Sequence, residues 1–187
     1  MAVAVRRHRF TVDQYHRMIQ AGILTKDDRV ELIEGEILEM APIGSRHAST
    51  VDRINRLLVT RLGDRAIVRV QGPILLPVQI SEPQPDVTLL RPRADFYRAV
   101  HPQPGDVLLV IEVADATVEP DRRWKVPLYA RAGLREAWLV DLNAERLEIY
   151  GEAGPAGYPR PRVLAHGEAG APGAFPDLTI HVADLLG

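Results

Sequence analysis

Apolar and polar residues alternate along the chain with two different periods, and the pattern predicts a mixed α/β fold. Apolar residues spaced three or four positions apart predict helices over residues 10–22, 45–63 and 121–132. Alternating or continuous apolar runs predict strands over residues 29–40, 66–71, 86–90, 107–113, 137–140, 146–150, 162–165 and 178–182. The first of these runs is broken by Glu34-Gly35 and predicts a hairpin. This order of elements predicts one sheet with helices on both faces.

The most continuous apolar run is Val107–Val113, which reads Val-Leu-Leu-Val-Ile-Glu-Val and predicts a strand buried on both faces of the sheet. Glu112 is the charged residue in this run. A carboxylate inside an apolar layer needs a cation, a proton or water, because burying an unpaired charge costs several kcal/mol. Glu112 therefore lies where the strand emerges into solvent, in a structural ion pair, or at a functional site.

Two other polar residues are predicted to lie near Glu112. Pro85 holds the chain extended into a strand that Asp86 opens, and Lys125 follows on the next helix. Two carboxylates and nearby backbone carbonyls form an oxygen site suited to Mg²⁺ or Mn²⁺, and a lysine can assist attack on a phosphate. The alternatives are a turn cap for Asp86 and a surface ion pair with Asp121 for Lys125.

Composition limits the classes of protein to which the chain can belong. The 187 residues carry a formal net charge of −2 and include no cysteine, so we expect neither disulfides nor a strongly basic nucleic-acid coat. No apolar run approaches the roughly 20 residues that a membrane span needs, and a cytoplasmic location is expected. The length predicts a single domain over residues 1–187, with a core at about 10–150 and a loop-rich C-terminal extension at 151–187.

Several segments occur in an order and spacing that resemble a known family. They are Glu31–Glu36, Pro42 to His47, Pro85-Asp86, Leu109–Val113, Asp121 to Tyr129 and Ala132–Asp141. Together they resemble the Uma family of bacterial restriction-endonuclease-like proteins, often labelled a domain of unknown function, within the PD-(D/E)XK nuclease superfamily. The resemblance implies a restriction-endonuclease-like mixed sheet flanked by helices, with an N-terminal helix and hairpin and C-terminal β additions.

The resemblance also implies roles for individual residues. Asp86 and Glu112 would be ligands of Mg²⁺ or Mn²⁺, and the carbonyl of Val113 would complete the site. The lysine of the superfamily normally lies two residues after the glutamate, where this chain has Ala114. In the Uma family it lies on the following helix, and Lys125 matches it.

Two further positions match the family and keep an alternative interpretation. Glu31 matches an acidic position that holds a second metal or orients water in related nucleases, although hairpin strands often carry outward glutamates. His47 matches a position lining the site, although it also starts an apolar helix stripe as a core histidine would. For Trp124, Leu128 and Trp138 the apolar spacing favours packing over a surface that stacks on bases. For Arg122 and Arg123 a solvated helix face is favoured over phosphate contacts beside Lys125.

The implied function is an endonuclease that hydrolyses phosphodiester bonds in DNA with metal-activated water. The main alternative is a catalytically silent module on the same fold that binds nucleic acid or a protein, and a third is a hydrolase of small phosphate esters. A homodimer is expected, because cutting both strands of a duplex needs two sites. Pro127 leaves open whether the helix carrying Lys125 starts just before the proline or is kinked by it.

Overall fold

The structure, a computed structural model, describes residues 7–25 and 27–187, and its first elements are a helix and a hairpin. Helix α1 (Val12–Gln20) is capped by Thr11, whose side chain accepts from the backbone N–H of Gln14. Strands β1 (Val30–Ile33) and β2 (Glu36–Glu39) pair antiparallel around a turn in which Glu34 and Gly35 both have positive φ. A Cβ at Gly35 would lie 2.7 Å from the Cβ of Arg9, so the close approach of the two segments requires glycine.

The long helix and the six-stranded sheet follow along the chain. Helix α2 (Ser45–Leu62) buries Val51, Ile54, Leu58 and Leu62, the stripe that its periodicity predicts. The sheet contains β3 (Ile67–Val70), β4 (Val87–Leu90), β5 (Val107–Ala114), β6 (Glu136–Asp141), β7 (Arg146–Gly151) and β8 (Arg162–Ala165), in that spatial order. Only the pair β5–β6 is parallel among the five pairs of this sheet.

Helical elements cover both faces of this sheet. On one face, α2 packs in an apolar cluster with Leu109, Ile111 and Val113 of β5. On the other face, Val110 and Ala114 of β5 pack with residues of the helical segment 118–131. Successive side chains of a strand point to opposite faces, so Glu112 lies on the second face, beneath that segment.

The helical segment 118–131 is continuous but changes its hydrogen-bond pattern. It consists of α3 (Val118–Pro120), a π-helical turn (Asp121–Lys125) and α4 (Val126–Arg131). The backbone N–H of Val126 donates to the Asp121 carbonyl, five residues back, and Pro127 follows with no N–H to donate. The segment therefore starts well before the proline, and the wide turn accommodates it.

The C-terminal part adds to both the sheet and the apolar core. Beyond β8, the short strands β9 (Ala169–Gly170) and β10 (Ile180–His181) pair with each other, and α5 (Val182–Leu186) packs on α2. The predicted mixed sheet flanked by helices, with an N-terminal helix and hairpin and C-terminal β additions, is confirmed. The single domain over residues 1–187 stays a prediction, and residues 1–6 and Lys26 lie outside the described part. None of the described helices is long and apolar enough to cross a membrane.

Candidate active site

The pairing of β4 with β5 brings Asp86 next to Glu112. The two strands are antiparallel, and Val87 lies opposite Ile111. Asp86 precedes β4 by one residue and Glu112 follows Ile111 on β5. The start of β4 and the end of β5 therefore lie side by side at the same end of the two strands. Val113 donates its backbone N–H to Oδ2 of Asp86 at 2.9 Å, which holds the aspartate carboxylate against the end of β5.

His47 is the second partner of Asp86. It lies in the first turn of α2, and its Nε2 is 3.0 Å from Oδ2 of Asp86. This hydrogen bond raises the pKa of His47 above its ordinary value, although burial acts in the opposite direction. The other ring nitrogen, Nδ1, is buried and has no hydrogen-bond partner among the described residues. His47 thus orients Asp86, while its ring remains beside the cleft.

Glu112 is buried and has two side-chain partners from the helical segment. The hydroxyl of Tyr129 donates to Oε1 of Glu112 at 2.5 Å, and Nζ of Lys125 lies 3.4 Å from the same oxygen. Burial raises the pKa of the Glu112 carboxyl above its ordinary value, and Lys125 opposes that shift. The fully buried Tyr129 lies four residues after Lys125 on the same helical segment, a spacing that could have identified it from the sequence.

Lys125 joins the sheet edge to the N-terminal hairpin. Its Nζ lies 3.3 Å from Oε1 of Glu31 on β1, in addition to the contact with Glu112. Burial alone lowers the pKa of a lysine, but the surrounding carboxylates raise the pKa of Lys125 above its ordinary value, so the ammonium stays charged. The second oxygen of Glu31 accepts the backbone N–H of Gln84 at 3.1 Å. Lys125 is therefore neither a surface lysine nor a partner of Asp121 alone.

Asp121 is a member of the site that the sequence did not single out as a functional residue. It is buried, and Oδ2 accepts the hydroxyl hydrogen of Thr117 at 2.7 Å. Burial, followed by the negative charges of Asp86 and Glu31, raises the pKa of Asp121 to about 6, although Lys125 and the Thr117 hydrogen bond lower it. The sequence signal that could have identified Asp121 as a member of the site is its position one helical turn before Lys125.

An open cleft of about 860 Å³ lies between the hairpin, the start of α2 and the helical segment. All five predicted site residues line it, namely Glu31, His47, Asp86, Glu112 and Lys125. Two predictions for their neighbours are wrong. Trp124 is exposed at the cleft instead of packed, since its indole lies outside both apolar clusters of the core. Arg122 is not a solvated arginine, since its guanidinium donates to the buried carboxylate of Glu148.

The donor set of the cleft suits a hard divalent cation. The carboxylates of Glu31, Asp86, Glu112 and Asp121 surround one lysine, so negative charge exceeds positive charge. Mg²⁺ binds through one or two carboxylates and keeps several waters, which matches Asp86, Glu112 and the cleft-lining Val113. Among the described residues, no three histidine, aspartate or glutamate side chains are already arranged around one point. The assignment of Asp86, Glu112 and Val113 as metal ligands therefore stays a prediction.

Comparison with known proteins identifies the family. Residues 12–183 match Uma2, a family described as "Putative restriction endonuclease". This chain belongs to the Uma2 family. The Uma2 chain is also similar to the crystal structure of "a putative nuclease belonging to DUF820" from Anabaena variabilis ATCC 29413, with a TM-score of 0.77 over 95% of this chain and 97% of that chain. At 14% identity this likeness shows the fold alone. No curated protein matches the chain.

Membership of Uma2 accords with the resemblance inferred from the sequence motifs. The matched range contains the hairpin, the long helix, the sheet and most of the C-terminal additions. In this structure Asp86, Glu112 and Lys125 line one cleft although they come from three separate parts of the chain.

Proposed function

We propose that this Uma2 protein is a metal-dependent endonuclease that hydrolyses phosphodiester bonds in DNA. The observation that carries the proposal is the convergence of Asp86, Glu112 and Lys125 in one cleft, where a strand opening, a strand end and a helical turn meet. Mg²⁺ or Mn²⁺ bound there would supply positive charge for the phosphate and lower the pKa of an attacking water. Asp86 and Glu112, with the carbonyl of Val113, would hold the cation.

The protein groups around this pair would keep it in position. The backbone N–H of Val113 and the ring of His47 orient Asp86, while Tyr129 and Lys125 orient Glu112. A carboxylate that is already oriented would lose little conformational freedom on binding an ion. His47 is a positioning residue in this scheme, because it acts through Asp86.

Lys125 would act on the phosphate itself. Its ammonium has three N–H donors, and carboxylate oxygens of Glu31 and Glu112 lie at ion-pair distance from it. One donor therefore remains for a non-bridging phosphate oxygen or for the attacking water. As the water oxygen bonds to phosphorus and the bond to the leaving oxygen breaks, negative charge grows on the phosphate oxygens. A fixed cation stabilises that charge.

Cleavage of several nucleic acids tests the proposal. Plasmid, single-stranded and structured DNA are incubated with Mg²⁺ or Mn²⁺, and the products are resolved by electrophoresis. The nearly isosteric variants Asp86→Asn and Glu112→Gln should each lower cleavage by at least about 100-fold. The exposed Asp177→Asn, which changes the same kind of group outside the cleft, serves as the matched control. Cleavage that survives in both site variants would place the active site elsewhere.

A catalytically silent module is the second candidate function. Ala114 at the position of the usual lysine favours it, as does the lack of a preformed set of three ligand side chains in the described part of the chain. Calorimetric titration with Mn²⁺ distinguishes the two, because a silent module binds no ion at Asp86 and Glu112. A homodimer and a cytoplasmic location remain expectations of the nuclease proposal.

A further inference from the structure

Trp124 lies at the mouth of the cleft, next in sequence to Lys125. Adjacent residues of a helical turn point in different directions, and Lys125 contacts Glu31 and Glu112 while the indole stays outside. The side chain of Trp124 lines the cleft, and the residue is 54% exposed. The other tryptophan of the chain, Trp138, is buried in the core and donates its Nε1–H to Glu136. The two tryptophans therefore occupy opposite environments.

Two further exposed apolar side chains line the same cleft as Trp124. Ile19 on α1 and Ile43, just before α2, also line the cleft, and both are more than two-fifths exposed. Three separate elements thus contribute large apolar side chains to the mouth of one acidic cleft. Exposed apolar surface that borders a polar site is typical of ligand contact.

The charge of the cleft disfavours binding through phosphates alone. Among the described residues, seven carboxylates and two permanent cations line it: Asp28, Glu31, Glu39, Asp86, Glu112, Asp115 and Asp121 against Arg29 and Lys125. One bound divalent cation would still leave an excess of carboxylates. Duplex DNA gains most of its affinity from lysine and arginine contacts to phosphates, and this cleft supplies few of them. Affinity must come from another interaction.

We propose that Trp124 stacks on an unpaired nucleobase beside the phosphate held in the cleft, so that the site takes single-stranded DNA in preference to continuous duplex. In a duplex the faces of each base are covered by its neighbours, whereas an unpaired base exposes its π face. Stacking of a base on an aromatic side chain is tolerant of sequence and supplements weak phosphate contacts. The inference rests on the proposed nuclease function, because that function puts a nucleic-acid phosphate beside Lys125.

Tryptophan fluorescence tests the stacking directly. The protein is titrated with a phosphorothioate-linked single strand, which resists cleavage, and with the same strand annealed to its complement, both in Mg²⁺. The single strand should quench the emission of the wild type and protect it from acrylamide, and the duplex should do neither over the same concentration range. Trp124→Phe removes the quenched signal, because the remaining Trp138 is buried.

Variants of Trp124 measure what the stacking contributes. Trp124→Ala should weaken binding of a dye-labelled single strand by about 10- to 100-fold, and Trp124→Phe should retain most of the affinity. In cleavage assays, Trp124→Ala should raise KM and leave kcat within a few-fold of the wild type. Phe96→Ala removes another exposed aromatic, one that does not line this cleft, and should change neither quantity. Circular dichroism confirms that each variant is folded.

The outcomes separate this inference from the nuclease proposal. Equal quenching by single strand and duplex, or wild-type affinity in Trp124→Ala, would overturn the stacking while leaving DNA cleavage intact. Stacking without cleavage of any nucleic acid would overturn the nuclease proposal and leave a binding module. Failure of every nucleic acid to bind would overturn both.

Discussion

The ammonium of Lys125 lies 3.4 Å from the carboxylate of Glu112, and the two groups are held there by different elements, a π-helical turn and a central strand. The contact places a lysine beside the strand-end glutamate without using the position two residues later, which is Ala114. The same ammonium reaches Glu31 on the hairpin, so one cation links three parts of the fold.

Removing this cation should destabilise the protein. Lys125→Met leaves the buried carboxylates of Glu31 and Glu112 without their positive partner, and breaking a buried ion pair from one side costs about 3 kcal/mol. Urea unfolding at neutral pH without added metal measures the loss. Lys125→Met combined with Glu112→Gln should recover at least half of it, because one of the two uncompensated charges is gone.

An exposed ion pair provides the control for that experiment. Arg131 contacts Glu34 at 3.0 Å, and both side chains are about half exposed. Arg131→Met should cost less than about 1 kcal/mol. A similar loss in Arg131→Met and Lys125→Met would contradict the buried role of Lys125.

Divalent cations should stabilise the folded protein. An ion that binds only the folded state at 100 times its Kd adds about 2.7 kcal/mol, which corresponds to a rise in Tm of about 5–10 °C for a chain of this size. Differential scanning fluorimetry with and without Mg²⁺ or Mn²⁺ measures the shift. Asp86→Asn should abolish most of the shift, and Asp177→Asn should keep it. An equal shift in both variants would place the ion away from Asp86.

The stability of the protein should fall in acid partly because of Glu148. Burial raises the pKa of this carboxyl, but the hydrogen bonds from Arg122 and Tyr150 lower it by more than burial raises it. The pKa of Glu148 in the folded state therefore lies below the ordinary value. The unfolded chain then binds the proton more readily, and the stabilisation that is present above the unfolded pKa is lost as pH falls through the folded pKa.

Unfolding by urea between neutral pH and about pH 3 measures this effect, since glutamates in unfolded chains titrate near pH 4.3. Glu148→Gln should lower stability at neutral pH and flatten the acid limb of the profile. Asp52→Asn on the exposed side of α2 should leave the profile unchanged. An unaltered acid limb in Glu148→Gln would mean that another group causes the loss.

Pro127 should matter for activity more than for stability. Pro127→Ala restores an N–H at residue 127, which can bond the Arg123 carbonyl and convert the π turn into regular α-helix. Lys125 would then move relative to Glu112, and cleavage should fall by about 10- to 100-fold while Tm does not fall. Pro104→Ala, outside the cleft, is the control. Unchanged cleavage in Pro127→Ala would show that the proline does not determine the position of Lys125.

The sequence predicts the elements of this fold well, because periodicity reports which side of an element is buried. The stripe of Val51, Ile54, Leu58 and Leu62 predicts α2, and the run Val107–Val113 predicts a buried central strand. The turn at Glu34-Gly35 predicts the hairpin. Each of these signals comes from residues close together in the chain, so it can be recognised without knowing the rest of the fold.

The environments of the residues next to the site are harder to predict from the sequence. The sequence predicts a packed Trp124 and a solvated Arg122, yet the first is exposed at the cleft and the second is bonded to Glu148. The environment of Arg122 depends on Glu148, which lies on β7 and 26 residues later in the chain. The periodicity of a helix does not report such a distant partner.

The sequence by itself determined the class of fold, the central strand with its glutamate and the motif set that places the chain in Uma2. The sequence also predicted that Asp86, Glu112 and Lys125 lie close together. Only the tertiary structure decided that Lys125 bridges Glu112 and Glu31, and that Asp121 and Tyr129 join them. The reason is that apolar periodicity is a pattern among residues close together in the chain, whereas the cleft forms through the register of β4 on β5 and a helical turn widened next to Pro127.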